Sequence, residues 1–105
     1  MKITYLAAGI AAVAICVSAS AASAGPIERA CLKSDRPSVN RSVCNCIQQI
    51  ADQTLRGSDQ RRAATFFSNP DKAHSVWMSK SSNDDAFWER YKTFGSQAET
   101  YCTGT

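Results

Sequence analysis

Asn40-Arg41-Ser42-Val43-Cys44-Asn45-Cys46-Ile47-Gln48-Gln49-Ile50-Ala51-Asp52-Gln53-Thr54 is the stretch from which the fold is read. An asparagine at its head supplies a side-chain oxygen for the free N–H groups of a first helical turn, so Asn40 is the expected N-cap. Val43, Cys46, Ile47, Ile50, Ala51 and Thr54 then recur with the period of an amphipathic helix. Successive helical residues turn by about 100°, which puts Cys44 and Cys46 about 200° apart, on opposite edges of that stripe. Each sulfur therefore faces a different neighbour. Gly57 is expected to end the helix as its C′ residue.

The chain upstream sets the compartment. Lys2 supplies a positive n-region, Tyr5 to Val17 an apolar h-region, and Ala22-Ser23-Ala24 a small-residue cleavage site. Residues 1–24 thus read as a secretory signal peptide and residues 25–105 as one disulfide-stabilised helical domain, periplasmic or secreted. The apolar run falls short of the roughly 20 residues of a membrane anchor. Cys16 is preceded by Ile15 rather than by the small residue of a lipoprotein signal, so it is expected to leave with the leader. Twelve Lys and Arg stand against nine Asp and Glu, a net charge of +3 that the loss of Lys2 lowers to +2. Such a weak excess gives no reason to expect nucleic acid, and no later stretch is apolar enough to enter a membrane stably.

Cys31, Cys44, Cys46 and Cys102 remain after cleavage. An even count in a short exported chain implies two disulfides, with three possible pairings. A Cys44–Cys46 bond would close a strained small ring, so each is expected to join a distant partner, one Cys31 and the other Cys102. The Cys31 bridge would close a loop of roughly 15 residues and contribute about 3 kcal/mol; the Cys102 bridge would close nearly 60 and contribute about 4 kcal/mol. Both rival the net stability of a core this small. Two other uses of the pair are a redox dithiol, which lacks C-x-x-C spacing and a βαβ context, and a metal site, which lacks further ligands because His74 is the single histidine.

The rest of the mature chain is helical in pattern. Pro26 opens a short helix over Ile27, Ala30 and Cys31, ending near Ser34. Ser58 is the expected cap of a third helix bearing Ala63, Ala64, Phe66 and Phe67. Asn69-Pro70 starts a fourth, with Ala73, Val76, Trp77 and Met78. Ser82 or Asn83 is expected to cap the last, from Asp84 to Tyr101, whose inner face is Phe87, Tyr91, Phe94, Ala98 and Tyr101. The fold class is all-α: a small bundle of four to five short helices stapled by two disulfides.

Candidate sites are few. Arg56, Arg61 and Arg62 surround Gly57-Ser58 and form either an anion site at a helix start or a solvated face. Trp77, Phe87, Trp88, Tyr91 and Phe94 form either an apolar pocket or the core. Trp88 begins to leave the inner stripe, and beside Arg90 and Lys92 it is the candidate interaction anchor. Asp84, Asp85 and Glu89 suit a helix N-terminus. His74 has no triad partner nearby in sequence. No catalytic residue, metal ligand or cofactor motif is expected.

The blocks Arg41-Ser42-Val43-Cys44-Asn45-Cys46-Ile47, Ser58-Asp59-Gln60-Arg61-Arg62-Ala63-Ala64-Thr65-Phe66-Phe67, Ala86-Phe87-Trp88-Glu89-Arg90-Tyr91-Lys92-Thr93-Phe94-Gly95 and Tyr101-Cys102 resemble a family of small exported bacterial proteins of unknown function, sometimes labelled "arginine transporter". The resemblance implies no catalytic residues. A transporter needs several membrane spans, so the label suits at most a small arginine-binding accessory, for which Asp84, Asp85 and Glu89 are the cheapest cation site. The sequence thus points to a non-enzymatic exported protein acting by binding or interaction with a protein or small molecule. The alternatives are a thiol-disulfide protein using Cys44 and Cys46, and the arginine-binding accessory.

Overall fold

The computed structural model describes residues 25–37 and 39–102; residues 1–24, which carry the expected leader, lie outside the described residues. Five helices follow one another: α1 (Pro26–Lys33), α2 (Arg41–Thr54), α3 (Gly57–Ser68), α4 (Pro70–Met78) and α5 (Ser82–Cys102). No strand occurs among the described residues.

Local chemistry explains most boundaries. Pro26 is pre-set for the first turn of α1. Eight residues are too few to form a stable helix alone, and α1 is held by Ile27 and Cys31, 0% and 2% exposed. Asn40 caps α2, its Oδ1 accepting the Val43 N–H at 2.8 Å. Asn69 joins α3 to α4: its N–H closes α3 onto the Thr65 carbonyl at 3.0 Å, and Pro70 opens the next helix.

Three expectations about boundaries are corrected. Gly57 does not end α2; it is the first residue of α3. The α2 helix stops at Leu55, which turns extended and buries its side chain. Ser58 is not the cap of α3, because Arg56 takes that place and its N–H donates to Asp59 Oδ2 at 3.4 Å. Nor do Ser82 and Asn83 cap α5. The Ser81 hydroxyl accepts the Asp84 N–H at 3.0 Å, so helix begins at Ser82.

The helices wrap around one core. Helix α1 packs on α2 and α3, α2 packs on α5, and α4 bridges α3 and α5. Cys31 is bonded to Cys44 and Cys46 to Cys102, with Cα–Cα distances of 5.6 and 5.7 Å. The two edges of α2 are thus tied to α1 and to the end of α5. The core comprises Ile27, Ile50, Ala51, Leu55, Ala63, Phe66, Val76, Phe87, Phe94 and Cys102. Phe66 meets Phe87 and Tyr91 edge-on at 6.0 and 5.2 Å, a favourable geometry for ring quadrupoles.

The stripe of α2 is also shifted from its expected line. Cys44, Gln48, Ile50 and Ala51 are buried, whereas Val43, Cys46 and Ile47 are half-buried at its edge. A glutamine therefore occupies a core position. On α5, Tyr101 is 69% exposed and does not belong to the inner face.

Candidate functional site

Gln48 organises the junction of three helices. Its Oε1 accepts the Glu28 N–H of α1 at 2.8 Å. Its Nε2 donates to Asp52 Oδ1 at 2.8 Å and to Gln60 Oε1, on α3, at 2.7 Å. Gln60 Nε2 in turn donates to Asp52 Oδ1 at 3.1 Å and to the Leu55 carbonyl at 3.3 Å. Both amide groups use both their hydrogens. Among the described residues every buried side-chain nitrogen or oxygen is partnered, so this seam carries no unmet polar group. Gly25 presses on it: a Cβ there would lie 2.5 Å from Gln48 Cδ and Oε1.

A second polar link joins α3 to α5. Arg90 donates from Nε and Nη2 to the two carboxylate oxygens of Asp59, at 2.7 and 3.0 Å. The fork matches the carboxylate, and Asp59 is only 7% exposed. The Arg90 guanidinium holds the Asp59 carboxyl below its ordinary pKa, against the opposing effect of burial; the Arg56 N–H adds to the lowering.

The arginines read together in sequence are separated by the fold. Arg62 donates to Asp84 Oδ1 at 2.6 Å and lies over the Phe87 ring at 4.7 Å. Arg56 is exposed at the start of α3. Arg61 alone turns to a cleft between α1 and α3. The tryptophans exchange their expected roles. Trp88 is half-buried on the core, 5.2 Å from Tyr91, so it is not the exposed anchor. Tyr91, one helical turn further along α5, packs beside it. Trp77 is instead 58% exposed, with His74 5.5 Å away and Met78 60% exposed. Val76 takes the inward place on α4.

The acidic residues of α5 do not form an open cation site. Asp84 is paired with Arg62 and Glu89 with Lys92 at 3.0 Å. Ser79 and then Arg62 hold Asp84 below its ordinary pKa. No group of three His, Cys, Asp or Glu able to hold a metal occurs among the described residues. Cys44 and Cys46 have different partners, so they form a dithiol only after both bridges are reduced.

What the fold does assemble is a cleft of about 510 Å³. Helices α1 and α3 run side by side in the same direction. Their N-terminal halves meet through Gln48, and at the other end Arg36 sits over the Phe67 ring at 5.4 Å. Pro26, Ala30, Ala64 and Phe67 give the cleft apolar surface. Arg29, Lys33 and Arg61 bring three positive charges to it, Asp35 one negative charge, and Ser34 and Ser68 two hydroxyls. The spacing is helical on both sides: Pro26, Arg29, Ala30 and Lys33 share one face of α1, and Arg61, Ala64 and Ser68 one face of α3. Among the described residues neither Lys33 nor Arg61 is in an ion pair. The sequence flagged Arg61 but neither α1 cation, because their joint placement depends on how α1 packs.

Comparison with known proteins adds no family: no family model matches the chain, and no significant match to a curated protein or a solved structure is found. Among the described residues no helix is long and apolar enough to cross a membrane.

Proposed function

We propose that this protein is an exported, non-catalytic binding protein, periplasmic or secreted, that holds an anionic ligand in the α1–α3 cleft. The observation that carries the reading is that Lys33 and Arg61, neither in an ion pair among the described residues, line one concave surface together with Ala30, Ala64 and Phe67. Such a site combines charge recognition with apolar contact. The cleft walls are fixed from both ends, by the Gln48 seam and by the Cys31–Cys44 bridge. Paired cysteines suit an oxidising compartment, which supports the leader read at residues 1–24.

The resemblance to proteins labelled "arginine transporter" suggests a cationic ligand instead. That reading has less support, since Asp84 and Glu89 are already engaged by Arg62 and Lys92. The test is a thermal-shift panel on the exported, oxidised protein, comparing carboxylates, phosphate esters and sulfonates with arginine. Anions are expected to raise the melting temperature in the wild type and not in the double variant Lys33→Ala/Arg61→Ala. A shift with arginine alone overturns the proposal. N-terminal sequencing of the exported protein is expected to begin at Gly25; an uncleaved leader on the exported protein overturns the soluble reading.

A further inference from the structure

Resting on that anion-binding reading, we infer that the ligand is a small amphipathic anion, with an acidic head and an apolar body lying along the cleft. Charge and apolar surface are not spread evenly there. Arg61 lies in the N-terminal half of α3, whereas Lys33 and Asp35 stand together at the C-terminal end of α1, where their charges offset. Both parallel helices present the negative ends of their dipoles at the Asp35 end. An anionic head is therefore favoured at the Arg61 end. Between the two ends run Ala30, Ala64 and Phe67. The alanines keep the trough open, and the Phe67 ring provides a flat wall at its far end, backed by the Arg36 guanidinium. Helix α1 has eight residues, which gives a trough about 12 Å long. A bare inorganic anion would leave that apolar length unused. A neutral alkyl chain would leave the cations unmatched.

The probes are acetate, butanoate, hexanoate and octanoate, with 1-octanol and inorganic phosphate as controls, titrated into the exported, oxidised protein by calorimetry. Each added methylene that enters the trough is expected to tighten binding by about two- to fourfold. Octanol is expected to bind at least about tenfold more weakly than octanoate. Arg61→Gln should weaken every carboxylate about equally, leaving the dependence on chain length intact. Ala64→Phe fills the trough and should abolish that dependence; Ala30→Phe tests the same prediction from the opposite wall if the first variant unfolds. Equal affinity for acetate, phosphate and octanoate overturns this inference and leaves the anion reading standing. No binding of any anion overturns both. Octanoate binding that ignores all three substitutions places the ligand elsewhere and also overturns the inference.

Discussion

The two disulfides leave the same helix and do different work. Cys31–Cys44 spans 13 residues and ties α1 to the start of α2. Cys46–Cys102 spans 56 and ties the middle of the same helix to the last described turn of α5. The short loop carries Lys33, Ser34, Asp35 and Arg36, so its closure shapes one wall and one end of the cleft. The long loop contains α3, α4 and nearly all of α5, and with them most of the aromatic core. The contrast separates a bridge that shapes the cleft from a bridge that closes most of the core, two residues apart.

That division can be broken most directly by removing each bridge. Cys46→Ser/Cys102→Ser is expected to lose about 4 kcal/mol, and Cys31→Ser/Cys44→Ser about 3 kcal/mol, in reversible denaturant melts. Only the second should weaken ligand binding at a temperature where both variants remain folded. Equal losses of affinity would dissolve the distinction. The non-covalent clamp at the other end of the cleft comes next. Gln48→Ala strands the Glu28 N–H and Gln60 Oε1, at an expected cost of about 2 kcal/mol. Gly25→Ala should move in the same direction, because the displaced amide is held by three hydrogen bonds.

Outside the cleft, the α3–α5 ion pair should cost less to break. Arg90 is 35% exposed at its side chain, so Arg90→Ala is expected to destabilise the fold less than Gln48→Ala, because solvent screens the pair. Its signature is a pH dependence. Asp59 has a lowered pKa in the folded state, so its stabilisation is complete above the unfolded value, near pH 4, and is lost as pH falls through the folded value. Asp59→Asn should flatten the acid limb of the stability curve; an unchanged limb would remove Asp59 from the account. Tyr91 works in the opposite direction. Burial raises its pKa, so its contribution is whole below about pH 10 and is lost as pH rises above. The smallest effect belongs to Asn40→Ala, about 1 kcal/mol for the lost cap, read from the midpoint of the same melts.

Much of this architecture was legible from side-chain chemistry alone. Pro26, Asn40 and Asn69-Pro70 mark helix starts because each solves the problem of unpaired N–H groups or a fixed φ. The divergent directions of Cys44 and Cys46 foretell two bridges to two neighbours. Long-range partners were harder to see. Gln48 looks like a surface residue until Gln60, Asp52 and the Glu28 N–H surround it. Gly57 looks like a helix terminator, but α3 starts there, and the Asp59 carboxylate that accepts the Arg56 N–H also holds Arg90, which lies 31 positions away. The tryptophans were misplaced for a similar reason: Trp88 packs against the core beside Tyr91, while the short α4 buries Val76 and leaves Trp77 outside. The cleft was the least visible part, since its cations come from two helices that α2 separates in sequence.

The covalent graph of the oxidised chain has two rings that meet at Asn45. One closes through Cys31 and Cys44, the other through Cys46 and Cys102. A route from Cys31 to Cys102 along bonds crosses one bridge, the short Cys44-Asn45-Cys46 segment and the second bridge, about 20 Å in all. Unfolding therefore cannot release a long linear coil. Between Cys31 and Cys102 the denatured protein is a figure of eight. The hydrodynamic radius of that segment should stay far below that of the reduced chain, the denaturant m-value should be small, and a pull applied at Cys31 and Cys102 should meet a covalent stop almost at once.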